Sequence, residues 1–345
     1  MMDALVPIAW SLAKYLGLLG IVMGIVPVLT WMERRQSALM QDRIGPNRAN
    51  IGRFRAWGLF HPIADGIKMF MKEDFIPAHA HKPLFTLAPI VALAPVLIVL
   101  AVIPYGPGMQ AARLDVGLLF LFGVLSLSVY GATLAGWASY NKWAMLGGLR
   151  ASAQMISYEV TMGMAALGAL MIYGTLEPGA MVEAQRGGFC GIGHWGIFRQ
   201  PLGFVLFTVA AIAETKRAPF DLPEGEPEIL GYFVEYSGMR FGMFFMGEFA
   251  EVVVSSAVIT TLYLGGWIMP WDSAVAVGAP HALYVAHGVA MWVGKVFVLC
   301  ALQLALRWTL PRLRYDQLMR LGWKQLLPAS LANVLATAVI MVGTK

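Results

Sequence analysis

Residues 84–104 read Leu-Phe-Thr-Leu-Ala-Pro-Ile-Val-Ala-Leu-Ala-Pro-Val-Leu-Ile-Val-Leu-Ala-Val-Ile-Pro, a run without one charged side chain. At ~1.5 Å per helical residue, such a run is long enough to cross a hydrocarbon core of roughly 30 Å. The rest of the chain repeats this pattern. Of its 345 residues, 58% are hydrophobic and only 13% charged, whereas an ordinary soluble domain is about one-quarter charged. Several apolar runs exceed the roughly 18 residues that mark a membrane span. A transmembrane barrel would instead show alternating segments of about ten residues. The fold class is therefore an all-α polytopic membrane protein, read as one membrane domain over residues 1–345.

Eight spans are expected, at about 7–30, 84–104, 116–138, 152–174, 201–214, 240–268, 283–306 and 325–343. The first run lacks a basic leader and a small-residue cleavage site, so it reads as an uncleaved helix. The loops that follow odd-numbered spans hold nine, two, three and five basic residues in turn, nineteen of the chain's 25. The even loops hold only Arg113, Arg186 and Arg199. The positive-inside rule puts the odd loops in the cytoplasm or its equivalent, with both termini on the other side. A pI near 9.2 is explained by this pattern without nucleic acid.

The long first loop contains Leu59, Phe60, Ile63, Ile67, Phe70 and Met71 at helical spacing, opposed by Asp65, Lys68 and Lys72. That predicts an amphipathic helix, lying in the membrane interface, packed on neighbouring protein, or both. Span five is short. Its fourteen residues cover only about 21 Å, less than the core thickness, so the segment after it is expected to dip into a cavity on the cytoplasmic side.

That segment is also the most acidic. Eight of the chain's twenty acidic residues lie between Ala213 and Glu251. Four acids fall inside predicted helices: Glu159, Glu214, Glu248 and Glu251. Glu159 is expected about 10 Å in from the cytoplasmic end of span four. All four fall in the cytoplasmic half. Clustered carboxylates in a membrane usually mark ion or proton routes. The structural alternative pairs them with Lys295 or with backbone donors, but one lysine cannot neutralise four acids. The loop acids Asp221, Glu224, Glu226 and Glu228 could be a solvated face or part of a relay. Cys190 and Cys300 cannot build an iron–sulfur cluster or a zinc site. No phosphate-binding glycine loop is present, and the histidines are not paired for haem. No metal site or complete catalytic site is expected in this chain.

Six motifs carry a resemblance. They are Glu33-Arg-Arg with Gln41-Asp-Arg-Ile-Gly-Pro-Asn47, then Pro62-Ile-Ala-Asp-Gly-Ile-Lys68, then Gln154-Met-Ile-Ser-Tyr-Glu159. They continue with Ala213-Glu-Thr-Lys-Arg-Ala-Pro-Phe-Asp-Leu-Pro-Glu-Gly-Glu226, Phe244-Phe-Met-Gly-Glu248 and Pro311-Arg-Leu-Arg-Tyr-Asp-Gln-Leu318. In order and spacing, over almost the whole chain, they resemble the quinone-channel membrane subunit family of respiratory complex I, the bacterial NADH–quinone oxidoreductase and its mitochondrial counterpart.

The resemblance implies a quinone chamber lined by Glu33, Arg34, Arg43, Asp65, Lys68, Arg217, Phe245, Arg312 and Arg314, with Arg150 matching the arginine before the Tyr-Glu motif. It implies a proton path through Glu159, Glu214, Asp221, Glu224, Glu226 and Glu248. It implies quinone, ubiquinone as the first expectation, as substrate. Iron–sulfur clusters and FMN would sit in partner subunits: a peripheral arm over the cytoplasmic loops, small membrane subunits and antiporter-like subunits. The expected location is a bacterial inner membrane with periplasmic termini, or the mitochondrial inner membrane. Glu251, Lys295 and the glycine-rich stretch 183–199 receive no role. The alternatives are the related membrane subunit of an energy-converting hydrogenase, a stand-alone ion transporter, and a passive anchor. The last explains the basic loops but not four buried acids.

Overall fold

The computed structural model describes residues 2–187, 193–223, 231–269 and 280–343. Among these the chain is helical, with no β-strand. Helix α1 spans Met2–Met40. After a 3-10 turn at Ala56–Gly58 come α2 (Phe60–Met71), α3 (Lys82–Val99), α4 (Gly117–Leu125), α5 (Ser128–Ala138) and α6 (Lys142–Tyr173). The short α7 (Pro178–Glu183) and α8 (Gly196–Arg199) precede α9 (Pro201–Glu214) and α10 (Gly238–Tyr263). Helix α11 (His281–Thr309) leads to α12 (Tyr315–Arg320), a π-helical segment Leu321–Leu326, and α13 (Leu327–Gly343). Seven stretches among the described residues are long and apolar enough to cross a membrane, and Pro201–Glu214 is a shorter apolar helix.

Several helices outrun their apolar sequence. Helix α1 continues ten residues past the expected end at 30, so Glu33, Arg34 and Arg35 lie on a helix rather than in a loop. Glutamate and arginine are good helix formers, and Glu33 is neutralised by two arginines. Helix α6 starts ten residues before 152, where the Asn141 side chain accepts the Trp143 amide at 2.9 Å. An asparagine N-cap of this kind starts a helix where apolarity alone gives no signal. Glu159 is therefore farther from its helix start than the sequence implied. Span three divides into α4 and α5 at Ser126 and Leu127, and the last span begins at Tyr315.

Helix α10 is central. Of its apolar window 72% is buried inside the chain, against 22–50% for the other six. A helix apolar all round belongs in a core, and α10 packs on α1, α3, α9 and α11. Glu248 and Glu251 thus ride on the most enclosed element of the fold.

Helices α3 and α5 meet at Gly131. A Cβ there would lie 2.6 Å from the Ala92 backbone. Membrane helices use small residues at such close crossings because dispersion contacts hold them together. Gly131→Val should force α3 and α5 apart, lowering the thermal midpoint of the solubilised protein. An unchanged midpoint would show that the crossing is not tight.

Lys295 does not neutralise the buried acids. Its Nζ donates to the carbonyls of Leu264 (2.7 Å), Gly266 (2.9 Å) and Ile268 (2.7 Å), and lies 4.2 Å from the Trp195 ring centre. These carbonyls follow the end of α10, where unpaired acceptors and the helix dipole attract a cation. The described part of the 183–199 stretch is tied to the same region. Gln185 donates to Thr261 O (2.7 Å) and accepts from Gly196 and Gly265 amides.

Candidate functional site: a charged chamber beside buried carboxylates

The C-terminal part of α1, the first half of α10, the turn after α9 and the end of α11 enclose a cavity of about 430 Å³. One wall is charged. Glu33 accepts from Arg217 Nη1 at 3.1 Å through Oε2, and from Arg307 Nη1 through Oε1. A single carboxylate thus holds two guanidiniums, and charge-assisted bonds of this kind are the strong ones. The opposite wall is aromatic, formed by Phe241, Phe244, Phe245 and Phe249 of α10 with Phe233. Their spacing of three, four and eight residues puts these α10 phenylalanines on one helix face. Arg217 joins the two walls, its guanidinium lying 3.7 Å from the Phe249 ring centre. Its Nε is buried and has no hydrogen-bond partner among the described residues. A slot with charge on one side and rings on the other suits a molecule with a polar head and an apolar body.

A neighbouring groove of about 350 Å³ shares Arg34, Phe241 and Phe245 with this chamber. Here Asp65 of α2 binds Arg34 (2.7 Å) and Lys68 (2.6 Å). Burial acts to raise the Asp65 pKa, but the Lys68 ammonium and Arg34 guanidinium outweigh it and hold the carboxyl below its usual value.

Glu248 lines the chamber and also a small polar cavity of about 10 Å³ shared with Ser128, Lys216, Tyr232 and Glu251. Tyr232 Oη donates to Glu248 Oε1 at 3.2 Å. Ser128 Oγ donates to Glu251 Oε1 at 3.4 Å, and Lys216 Nζ lies 3.4 Å from Glu251 Oε2. Glu251 borders a second cavity of about 20 Å³ that contains Glu214 at the end of α9. Each space is close to what a single water molecule needs, ~10–15 Å³. Glu248, Glu251 and Glu214 therefore lie in succession from the chamber inward, each at most 9% exposed. The half-buried Glu159 of α6 also acts electrostatically on Glu214. Gln154 fixes the turn after α9 by donating to Ala213 O (2.6 Å) and Phe220 O (2.7 Å).

The residues singled out in the sequence divide as follows. Glu33, Arg34, Arg43, Arg217 and Phe245 line the chamber, and Asp65 and Lys68 line its adjoining groove. Arg150, Arg312 and Arg314 line neither. Arg150 lies 5.9 Å from the Tyr315 ring centre, Arg312 Nε donates to Asp221 O (3.0 Å), and Arg314 is exposed. Glu224, Glu226 and Glu228 lie outside the described residues. The site also contains Arg307, Lys216 and Tyr232, to which no sequence motif assigns a role. The first two were visible only as loop charges, because the pairing that gives them meaning is between distant helices.

The fold and site define a class: a polytopic helical membrane protein with a charged, aromatic-walled chamber backed by buried carboxylates. The sequence model of the family described as NADH dehydrogenase matches residues 13–338. The chain belongs to this family. It is 43% identical over 339 residues to NADH-quinone oxidoreductase subunit 8 of Rhodothermus marinus, covering 96% of this chain and 97% of that one. It is 44% identical over 326 residues to the H subunit of NADH-quinone oxidoreductase from Methylococcus capsulatus (93% and 96%). It is 43% identical over 332 residues to the H subunit of the Methylibium petroleiphilum enzyme (94% and 90%).

Proposed function

We propose that this chain is the membrane subunit of NADH-quinone oxidoreductase that forms the quinone chamber and begins the path by which quinone reduction drives proton translocation. The carrying observation is that Glu248 lines both the chamber and the first of the buried carboxylate cavities. A change of charge in the chamber is therefore felt, across one side chain, by a row of membrane carboxylates.

In this reading the chain is a single membrane domain of eight crossings, the seven long stretches plus Pro201–Glu214, with both termini on the periplasmic side of a bacterial inner membrane. Helix α2 lies in the membrane interface. Support comes from its outer face, where Ile63, Ile67, Phe70 and Met71 are 58–82% exposed while Asp65 turns to Arg34. A quinone tail passes between α1, α2 and α10 along the phenylalanine face, and the headgroup reaches the level of Glu33, Arg217 and Arg43. Arg150, Arg312 and Arg314 face the peripheral-arm subunits, whose iron–sulfur clusters supply electrons and which also carry FMN. Reduction of the quinone ring demands protons. That demand draws on Glu248 and passes through Glu214 and Glu159, with Asp221, Glu224 and Glu226 in the linking loop, towards small and antiporter-like membrane subunits.

Glu214→Gln tests this. The side chain keeps its volume but cannot release a proton, and it sits beyond the chamber. Quinone reduction should persist while proton pumping per electron falls. Native values for both in the assembled enzyme would sink the proposal.

A further inference from the structure

Lys216 lines the smaller of the two cavities between Glu248 and Glu214. It is 7% exposed and has a left-handed backbone, φ +56°. Most L side chains avoid this region, and residues held there cluster at functional sites. A glycine would relieve the backbone and spare the burial of an ammonium. The chain instead places a long, flexible cation at this point.

The pairing it makes is loose. Nζ stands 3.4 Å from Glu251 Oε2, an ion pair at long range, and among the described residues that oxygen meets no partner in good hydrogen-bond geometry. A seated ammonium–carboxylate bond is ~2.7–2.9 Å. Three carboxylates act on the ammonium: Glu251 and Glu248 from α10 and Glu214 from α9. The hydroxyls of Ser128 and Tyr232 complete the surroundings.

We propose that Lys216 is a mobile charge latch in this row, pairing with Glu251 while that carboxylate is ionised and moving to Glu248 when a proton passes from Glu248 to Glu251. The inference rests on the proton role argued above. In the step, the Glu248 carboxyl loses its proton and the Glu251 carboxylate gains it. The ammonium keeps its three protons and follows the negative charge. Net charge in the cavity is constant throughout, so no bare carboxylate is left buried, which is the costly arrangement. The four-carbon stem of lysine permits the movement that a planar guanidinium would resist. Lys216 is thus a positioning residue for proton transfer.

The test uses the assembled enzyme in proteoliposomes, reading protons pumped per electron, so that the ratio is independent of how much enzyme assembles. Glu251→Gln removes one station and should fix Lys216 on Glu248. Lys216→Gln with Glu251→Gln removes both partners of the ion pair together, so neither is left without the other. Both variants should reduce quinone with a pumping ratio several-fold below native. A purely structural ion pair predicts otherwise: the single change impairs assembly, and the double change restores assembly with a native ratio. A native ratio in the double variant, or in the assembled fraction of Glu251→Gln, overturns the latch. If Glu214→Gln still uncouples the enzyme, only the latch fails; if Glu214→Gln is also native, the underlying proton path fails with it.

Discussion

Glu33→Ala should impair this protein more than any other single change in the chamber. The carboxylate holds Arg217 and Arg307 together, with Glu33 and Arg217 only 13% and 10% exposed at the side chain. Removing one partner of a buried pair costs about 3–5 kcal/mol, because the remaining charge stays buried and uncompensated. Here two neighbouring guanidiniums on the charged wall would be left without their shared carboxylate. The penalty divides between stability and ligand binding. The thermal midpoint of the solubilised complex should fall, and the KM for a short-tailed quinone should rise by about tenfold or more, since each ~1.4 kcal/mol of lost binding is a factor of ten. Glu33→Gln, which keeps acceptor geometry without the charge, should fall between native and alanine. A native KM in Glu33→Ala would remove the chamber's charged wall from the quinone site.

Glu248→Gln should have the second large effect, of a different kind. The amide preserves the side-chain volume and can still accept from Tyr232, so packing is spared. It cannot carry a proton between the chamber and the cavity of Lys216 and Glu251. A positioned proton donor or acceptor is worth ~10²–10⁴-fold in the step it serves. Pumping should therefore collapse while the enzyme assembles, and the residual quinone reduction should become insensitive to an uncoupler. Pumping at the native ratio would mean that protons reach Glu214 by a route that bypasses Glu248.

Much of this was legible in the order of residues. The apolar runs and the alternation of basic loops specify a helical membrane protein, and the short fifth span at 201–214 is the helix Pro201–Glu214. What the sequence could not show follows from physics that local patterns do not carry. The end of α1 lies beyond its apolar run, where Glu33 is ion-paired, and the start of α6 is set by the cap at Asn141. Lys295, conspicuous as a charge in mid-span, serves backbone carbonyls at the end of α10. Lys216, inconspicuous in a basic loop, is the cation beside Glu251. One-dimensional spacing gives the depth of a charge along its own helix, but the partner is set by which helices cross. The phenylalanine wall is a partial exception: the three-four-eight spacing from Phe241 to Phe249 is readable, yet only the position of Arg217 over Phe249 turns it towards a chamber.

In the proposed mechanism, quinone chemistry in the chamber changes the protonation of the carboxylates behind it. Redox-induced infrared difference spectroscopy on the assembled enzyme reads this protonation, comparing oxidised and quinol-containing states. Quinone reduction should change the carboxyl C=O stretching region in the native enzyme, and the change should be lost or displaced in Glu248→Gln. A native spectrum with no carboxyl change, or a change that persists unaltered in Glu248→Gln, would contradict it.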